Sequence, residues 1–191
     1  MALDPDAAVR AGTAAAIGWL RRAGTAMPGL RFVDPAAVHL TLRFLGNVPE
    51  EQVEGLAAAV ATTAAGGPAL RLQVRSLGAF PSPGRAQTVW LGLTGDLAPL
   101  EALVATLDRH LARLGFTGEA RRFRPHLTVA RARRGAHGLA AALAAGSAAL
   151  APVSWHATTL TLFESYLGPD GARHLPLLTA PLGGPPKPGT P

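Results

Sequence analysis

The sequence predicts an α+β fold built as a bilobal, pseudo-two-fold duplication, with two antiparallel sheets, helices outside and a central cleft between them. Three observations lead there. The expected elements run helix–strand–helix–strand–strand and then repeat that order. A short His-Leu-Thr-hydrophobic motif, at His39 and again at His126, sits at matching places in the two halves. Hydrophobic residues make up 48% of the 191, enough for one domain over residues 1–181 to bury a core without cross-links.

Each element has its own warrant. Asp4 or Asp6 can cap a first helix running to about Ala23, with Val9, Ala16, Ile17 and Leu20 on one face. Residues 29–33 are extended until Asp34-Pro35 breaks them. Val38 to Leu45 alternates as a strand should. Asn47-Val-Pro-Glu-Glu51 then starts a helix, with proline in its first turn and carboxylates at its positive end, and Gly66-Gly67 stops it. Strands near Ala69–Leu77 and Ala86–Leu93 flank the turn-rich Phe80-Pro-Ser-Pro-Gly-Arg85. Asp96 caps a third helix that Gly115 ends. Arg124 to Ala130 is a strand, and residues 136–146 form an alanine-rich helix. Strands near Val153–Phe163 and Arg173–Leu178 close the fold around Gly168-Pro-Asp-Gly171. Residues 182–191, rich in proline and glycine, are expected to be a disordered tail.

Composition excludes several kinds of chemistry. With no cysteine there are no disulfides, thiolate metal sites or cysteine nucleophiles. The formal charge is +6, nearly all of it arginine, since Lys187 is the sole lysine. A basic surface predicts acidic partners. No apolar run is long enough to span a bilayer, and Met1-Ala-Leu-Asp-Pro-Asp6 is acidic where a secretion leader would be basic. A cytoplasmic monomer with no membrane contact is the expectation. Glu50, Glu51 and Glu54 belong to a helix start and do not cluster near either motif histidine, which disfavours a di-metal hydrolase. There is no Gly-Lys-Ser/Thr phosphate loop, so an ATP-dependent ligase is disfavoured too.

The two motifs carry the chemistry. They read His39-Leu-Thr-Leu-Arg-Phe-Leu-Gly46 and Phe123-Arg-Pro-His126-Leu-Thr-Val-Ala-Arg131. On a strand, residues two apart share a face. His39 therefore projects with Thr41, and His126 with Thr128, while Leu40, Leu42, Leu127 and Val129 pack behind. Arg43 shares the face of His39 by the same alternation. Opening a cyclic phosphodiester needs a base for water and an acid for the departing sugar oxygen, and histidine serves either role near neutrality. Threonine hydroxyls and an arginine can hold the phosphate oxygens, and the strained ring lets the reaction proceed with no cofactor or metal. A third His-x-Thr, at His156-Ala-Thr158, shares its face with Leu160 and Leu162 and reads as structural, with His156 in the core.

These motifs resemble the two-histidine (2H) phosphoesterase superfamily, and more narrowly the RNA 2',3'-cyclic phosphodiesterases also called 2'-5' RNA ligases or LigT-like proteins. Leu77-Gly-Ala-Phe-Pro81 and Leu162-Phe-Glu-Ser165 extend the likeness over nearly the whole chain. The resemblance implies an active-site cleft with the histidines facing each other across it. It implies His39 as acid to the leaving 3'-oxygen and His126 as base, leaving a 2'-phosphate, with Thr41, Thr128 and Arg131 on the phosphate. Spacing alone does not assign acid and base. The implied partner is an RNA or oligonucleotide ending in a 2',3'-cyclic phosphate. Members normally have an apolar strand before a segment like Ala2-Leu-Asp-Pro5, whereas here only Met1 precedes it. Either the true start lies upstream or most of that strand is missing, and a missing strand would expose a sheet edge.

Other readings stay open at this point. The same chemistry could act on small nucleotides or run as reversible 2'-5' ligation, or the groove could bind RNA without catalysis. Six arginines between Arg121 and Arg134 suit a phosphate-backbone track or a plain solvated surface. Trp19 and Trp90 read as core, and Phe80 as a candidate for stacking on a base.

Overall fold

The computed structural model describes residues 1–23, 29–118, 122–132, 139–168 and 171–183. The elements are β1 (Ala2–Leu3), α1 (Ala7–Ala23), β2 (Leu30–Phe32), β3 (Leu40–Thr41), α2 (Val53–Gly66), β4 (Leu70–Phe80), β5 (Thr88–Gly95), α3 (Leu97–Arg113), β6 (His126–Ala132), α4 (Leu139–Ala149), β7 (Val153–Ala157), β8 (Thr159–Gly168) and β9 (Gly171–Pro181). They build two antiparallel sheets, a four-stranded one ordered β3-β1-β8-β9 and a five-stranded one ordered β2-β6-β5-β4-β7. Helix α2 packs on β8 and β9, while α1, α3 and α4 pack on β7 and β4 of the other sheet.

The two halves of the sequence interleave. Each motif strand lies in a sheet with the hairpin of the other half: β6 pairs directly with β5 of the β4–β5 hairpin, and β3 reaches the β8–β9 hairpin through β1. The expected duplication is therefore present, but each lobe is assembled from both copies.

Local chemistry explains most boundaries. The Val9 amide donates to Asp6 Oδ1 at 2.9 Å, which makes Asp6 the residue that satisfies the open end of α1. Val9, Ala16, Ile17 and Leu20 are buried, as their spacing predicts. Asp96 precedes α3 but does not cap it through its side chain; its carboxylate accepts instead from the Arg71 amide at 2.8 Å. Gly115, at φ +87, turns the chain after α3 in the left-handed region that favours glycine.

Three expectations are corrected. The strand foreseen over Val38–Leu45 is only Leu40–Thr41, because its neighbour β1 offers two residues to pair with. That same β1 lies between β3 and β8, but it covers only Leu160 and Thr161 of β8. Among the described residues the rest of β8, from Leu162 onward, pairs with β9 alone, so an open edge remains as expected. The single strand foreseen over Val153–Phe163 is two strands that break at Thr158 and join different sheets. The break shifts the side-chain phase: Trp155 and Ala157 are buried while His156 and Thr158 are exposed. His156 thus stands on the surface and not in the core. Lastly, packing runs past 181, since Leu182 is buried and its amide donates to Thr158 O. Residues 184–191 of the expected tail, and 136–138 of the expected fourth helix, lie outside the described residues.

Candidate functional site

The apolar halves of the two motifs anchor them. Leu40, Leu42, Leu127 and Val129 are buried, and removing each leucine side chain from water stabilises by about 2–3 kcal/mol. Strands β3 and β6 lie against each other where the two sheets meet, which brings the motifs together. The connection is short. Val33, just after β2, donates its amide to Val129 O on β6 at 2.9 Å, and a turn at Pro35–Ala37 then delivers the chain to His39.

Both histidines are held the same way. His39 Nδ1 lies 3.0 Å from Ala37 O, and His126 Nδ1 lies 2.6 Å from Arg124 O. A carbonyl can only accept, so each Nδ1 carries the proton and donates. Each neutral ring then has an unprotonated Nε2, the nitrogen left for proton transfer. The turn that offers Ala37 O is itself braced: the Ala36 amide donates to Asp34 Oδ1, and Arg10 on α1 donates to the carbonyls of Pro35 and Ala36 while pairing with Asp4.

Burial lowers the pKa of both imidazoles from 6.5. For His39 the Ala37 bond opposes that shift, and nearby His174 adds to it. For His126 the Arg124 carbonyl opposes, and the guanidinium charges of Arg124 and Arg131 add to it.

Thr41 is exposed and Thr128 half-buried, both available beside their histidines. Arg131 reaches the same side of β6 as His126 by a route alternation does not foresee. A β-bulge in β6 opposite Val89–Trp90 puts both Val129 and Ala130 on the buried side and returns Arg131 to the open one.

Arg43 is placed differently from what alternation predicts. The strand ends at Thr41, and the Arg43 side chain is 6% exposed, its Nε 3.0 Å from Asp108 Oδ1 and a guanidinium nitrogen donating to Thr117 O. The Asp108 contact is close but poorly aligned for a hydrogen bond, so charge dominates it. Arg43 ties the motif loop to α3. Of the arginine cluster, Arg121, Arg133 and Arg134 lie outside the described residues.

Aromatic neighbours complete each histidine, and the hairpin of the opposite half supplies them. His126 meets Phe80 edge-to-face at 5.0 Å, and Trp90 backs Phe80 at 5.0 Å. The Arg124 guanidinium covers a face of Phe80 at 4.4 Å. Phe80 is thus at the site as expected, whereas Trp90, read as core, is half-buried beside it. Trp90 can lie flat only because its cross-strand partner is Gly78, where an added Cβ would sit 2.2 Å from Cη2 of the indole. Gly78→Ala is expected to cost about 1–3 kcal/mol and lower the melting temperature by about 2–12 °C. An unchanged melting temperature would show that the indole turns aside freely.

His39 packs against Phe163 at 5.8 Å and His174 at 4.6 Å, and these rings line a cavity of about 610 Å³ with Arg10, Arg173 and Thr179. His174 went unnoticed in the sequence because it belongs to no motif. The signal that points to it is the duplication, which puts Trp90 in the second strand of the other hairpin. Among the described residues no group of three or more histidine or acidic side chains is arranged to hold a metal ion, and no helix is long and apolar enough to cross a membrane.

Comparison with known proteins bears on the family and the fold. The family described as the 2'-5' RNA ligase superfamily matches residues 13–169. An RNA 2',3'-cyclic phosphodiesterase of Aeropyrum pernix is 35% identical over 109 residues, 57% of this chain and 60% of that protein. One from Methanothermobacter thermautotrophicus is 34% identical over 102 residues, 53% of this chain and 54% of that protein. The chain thus spans a little over half the length of these curated relatives. Among crystal structures, TT0787 of Thermus thermophilus matches with a TM-score of 0.78 at 25% identity, over 96% of both chains. E. coli LigT complexed with 3'-AMP matches with a TM-score of 0.72 at 26% identity, over 95% of both chains. With the family matched across most of its length and the fold matched across nearly all of it, the chain belongs to the 2'-5' RNA ligase superfamily.

Proposed function

We propose that this protein hydrolyses RNA 2',3'-cyclic phosphodiester ends to 2'-phosphomonoesters, with His39 and His126 as general acid and base. The observation that carries the reading is the matched anchoring of the two rings, each Nδ1 bonded to the carbonyl two residues upstream. His126 Nε2 takes a proton from water as its oxygen attacks phosphorus. His39 Nε2–H gives a proton to the 3'-oxygen as the P–O3' bond breaks. Thr41 and Thr128 donate to the phosphate oxygens, and Arg131 offsets the charge that gathers there. Arg43 has no part in this scheme, and no cofactor takes part. The names of the Aeropyrum and Methanothermobacter relatives support the substrate, and the 3'-AMP complex of E. coli LigT supports a nucleotide in the groove.

The pH–rate profile tests the pairing of roles. Two groups that must hold opposite protonation states give a bell, and kcat/KM reports the free protein. Since burial lowers both imidazoles from 6.5, the maximum of kcat/KM is expected below pH 6.5. The rate falls on the alkaline side as the acid loses its proton and on the acid side as the base gains one. Bound phosphate favours the imidazolium, so the kcat profile is displaced to higher pH. A flat profile, or a kcat/KM maximum above about pH 7.5, would contradict the scheme.

A further inference from the structure

Among the described residues, His39 has a second imidazole packed against it where His126 has an indole. The second strand of each hairpin places a ring near its histidine, the indole of Trp90 on one side and the imidazole of His174 on the other. His174 meets His39 edge-to-face, with centroids 4.6 Å apart and planes at 79°. It is itself held. Its cross-strand partner Ser165 places Oγ 2.8 Å from His174 Nδ1. Phe163 touches both rings, 5.8 Å from His39 and 6.1 Å from His174, so three rings close one wall of the cavity.

We propose that His174 is a positioning residue for His39: pinned by Ser165, it fixes the edge-to-face packing of the His39 ring and competes with it for a single proton. This inference rests on the acid–base reading of His39. Two imidazoles this close, with one side of the pair against packed protein, do not both charge freely, so they titrate as a coupled pair.

The other charged groups around His39 do not substitute for that effect. Asp4, after β1, favours the charged ring, and the Met1 amino group, just before β1, opposes it. Arg10 on α1 is paired with Asp4, and Asp34 is bonded to the Ala36 amide. Arg173 on β9 lines the cavity with a permanent charge. Among the described residues, the Met1 amino group, lowered to about 6 by burial, also changes charge in the range of the two imidazoles, and it persists when His174 is replaced. His174 also suits turnover. Each cycle leaves His39 without its proton, and a half-buried imidazole beside it at the cavity wall is placed to govern how readily that proton returns.

The test follows the histidine ring nitrogens by 1H–15N NMR against pH in the whole chain, for wild type, His174→Asn and His174→Ala. Asparagine replaces the ring with a neutral amide that still packs beside His39 and reaches Ser165; alanine removes the packing group altogether. In His174→Asn the His39 midpoint is expected to rise, and the alkaline limb of kcat/KM, which reports the acid, to move up with it. In His174→Ala kcat is expected to fall about tenfold with KM within about twofold, because the His39 ring is no longer held. Ser165→Ala, which leaves the ring but frees it, is expected to lie between. A His39 midpoint that stays in place in His174→Asn overturns the coupling, and an unchanged kcat in His174→Ala overturns the positioning role. The spectra need no substrate, so an inactive protein still decides the coupling and the failure of the hydrolytic reading is seen separately.

Discussion

His39→Ala and His126→Ala are each expected to lower kcat on a cyclic-ended oligoribonucleotide by about 10²–10⁴-fold, the range general acid–base groups supply. Both rings sit at the ends of short bonds to backbone carbonyls and are half-buried, so truncation removes proton transfer without opening the core. Thermal stability is expected to change by no more than a few degrees, and affinity for the RNA end to stay within about tenfold. The double variant should be about as slow as the slower single one, because acid and base act on the same transition state and their losses do not multiply. If either single variant keeps more than about a tenth of the wild-type rate, that ring is not a proton-transfer group.

Arg43→Ala is expected to do the reverse: destabilise strongly and leave the chemistry alone. The guanidinium is buried and joins the loop after β3 to Asp108 on α3 and to the Thr117 carbonyl. Breaking a fully buried pair costs about 3–5 kcal/mol, and Asp108 is 33% exposed, so about 3 kcal/mol is the expected loss. For a chain of this size that lowers the melting temperature by about 6–12 °C. Measured well below that melting temperature, kcat/KM should stay within about threefold of wild type. Arg43→Lys keeps a charge but not the planar fork and should fall between. A melting temperature that holds while kcat/KM drops about a hundredfold would return Arg43 to the substrate face that simple alternation suggested.

Arg43 shows why part of the site was legible and part was not. Periodicity is a local rule, and it holds wherever a strand continues. It correctly paired His39 with Thr41 and His126 with Thr128, and it put Leu40, Leu127 and Val129 in the core. It failed where the ladder stopped or slipped. β3 ends after Thr41, which released Arg43 to turn inward. A bulge in β6 moved Arg131 to the open side, against strict alternation. The break at Thr158 likewise inverted the phase that had put His156 in the core.

Contacts between the halves were invisible for a different reason. The duplication could be read from element order and repeated motifs, but no local signal says that each motif strand joins the hairpin of the other half. That exchange is what brings Phe163 and His174 to His39, and Phe80 and Trp90 to the neighbourhood of His126. Phe80 was foreseen from its place in a turn-rich loop. His174, alone on an alternating strand, offered nothing to mark it out.

Product analysis with purified protein on an oligoribonucleotide ending in a 2',3'-cyclic phosphate decides the proposed reaction. The expected product is a 2'-phosphomonoester, formed by the wild type and lost in His39→Ala and His126→Ala. An intact cyclic end, or a 3'-phosphate as the main product, would contradict it.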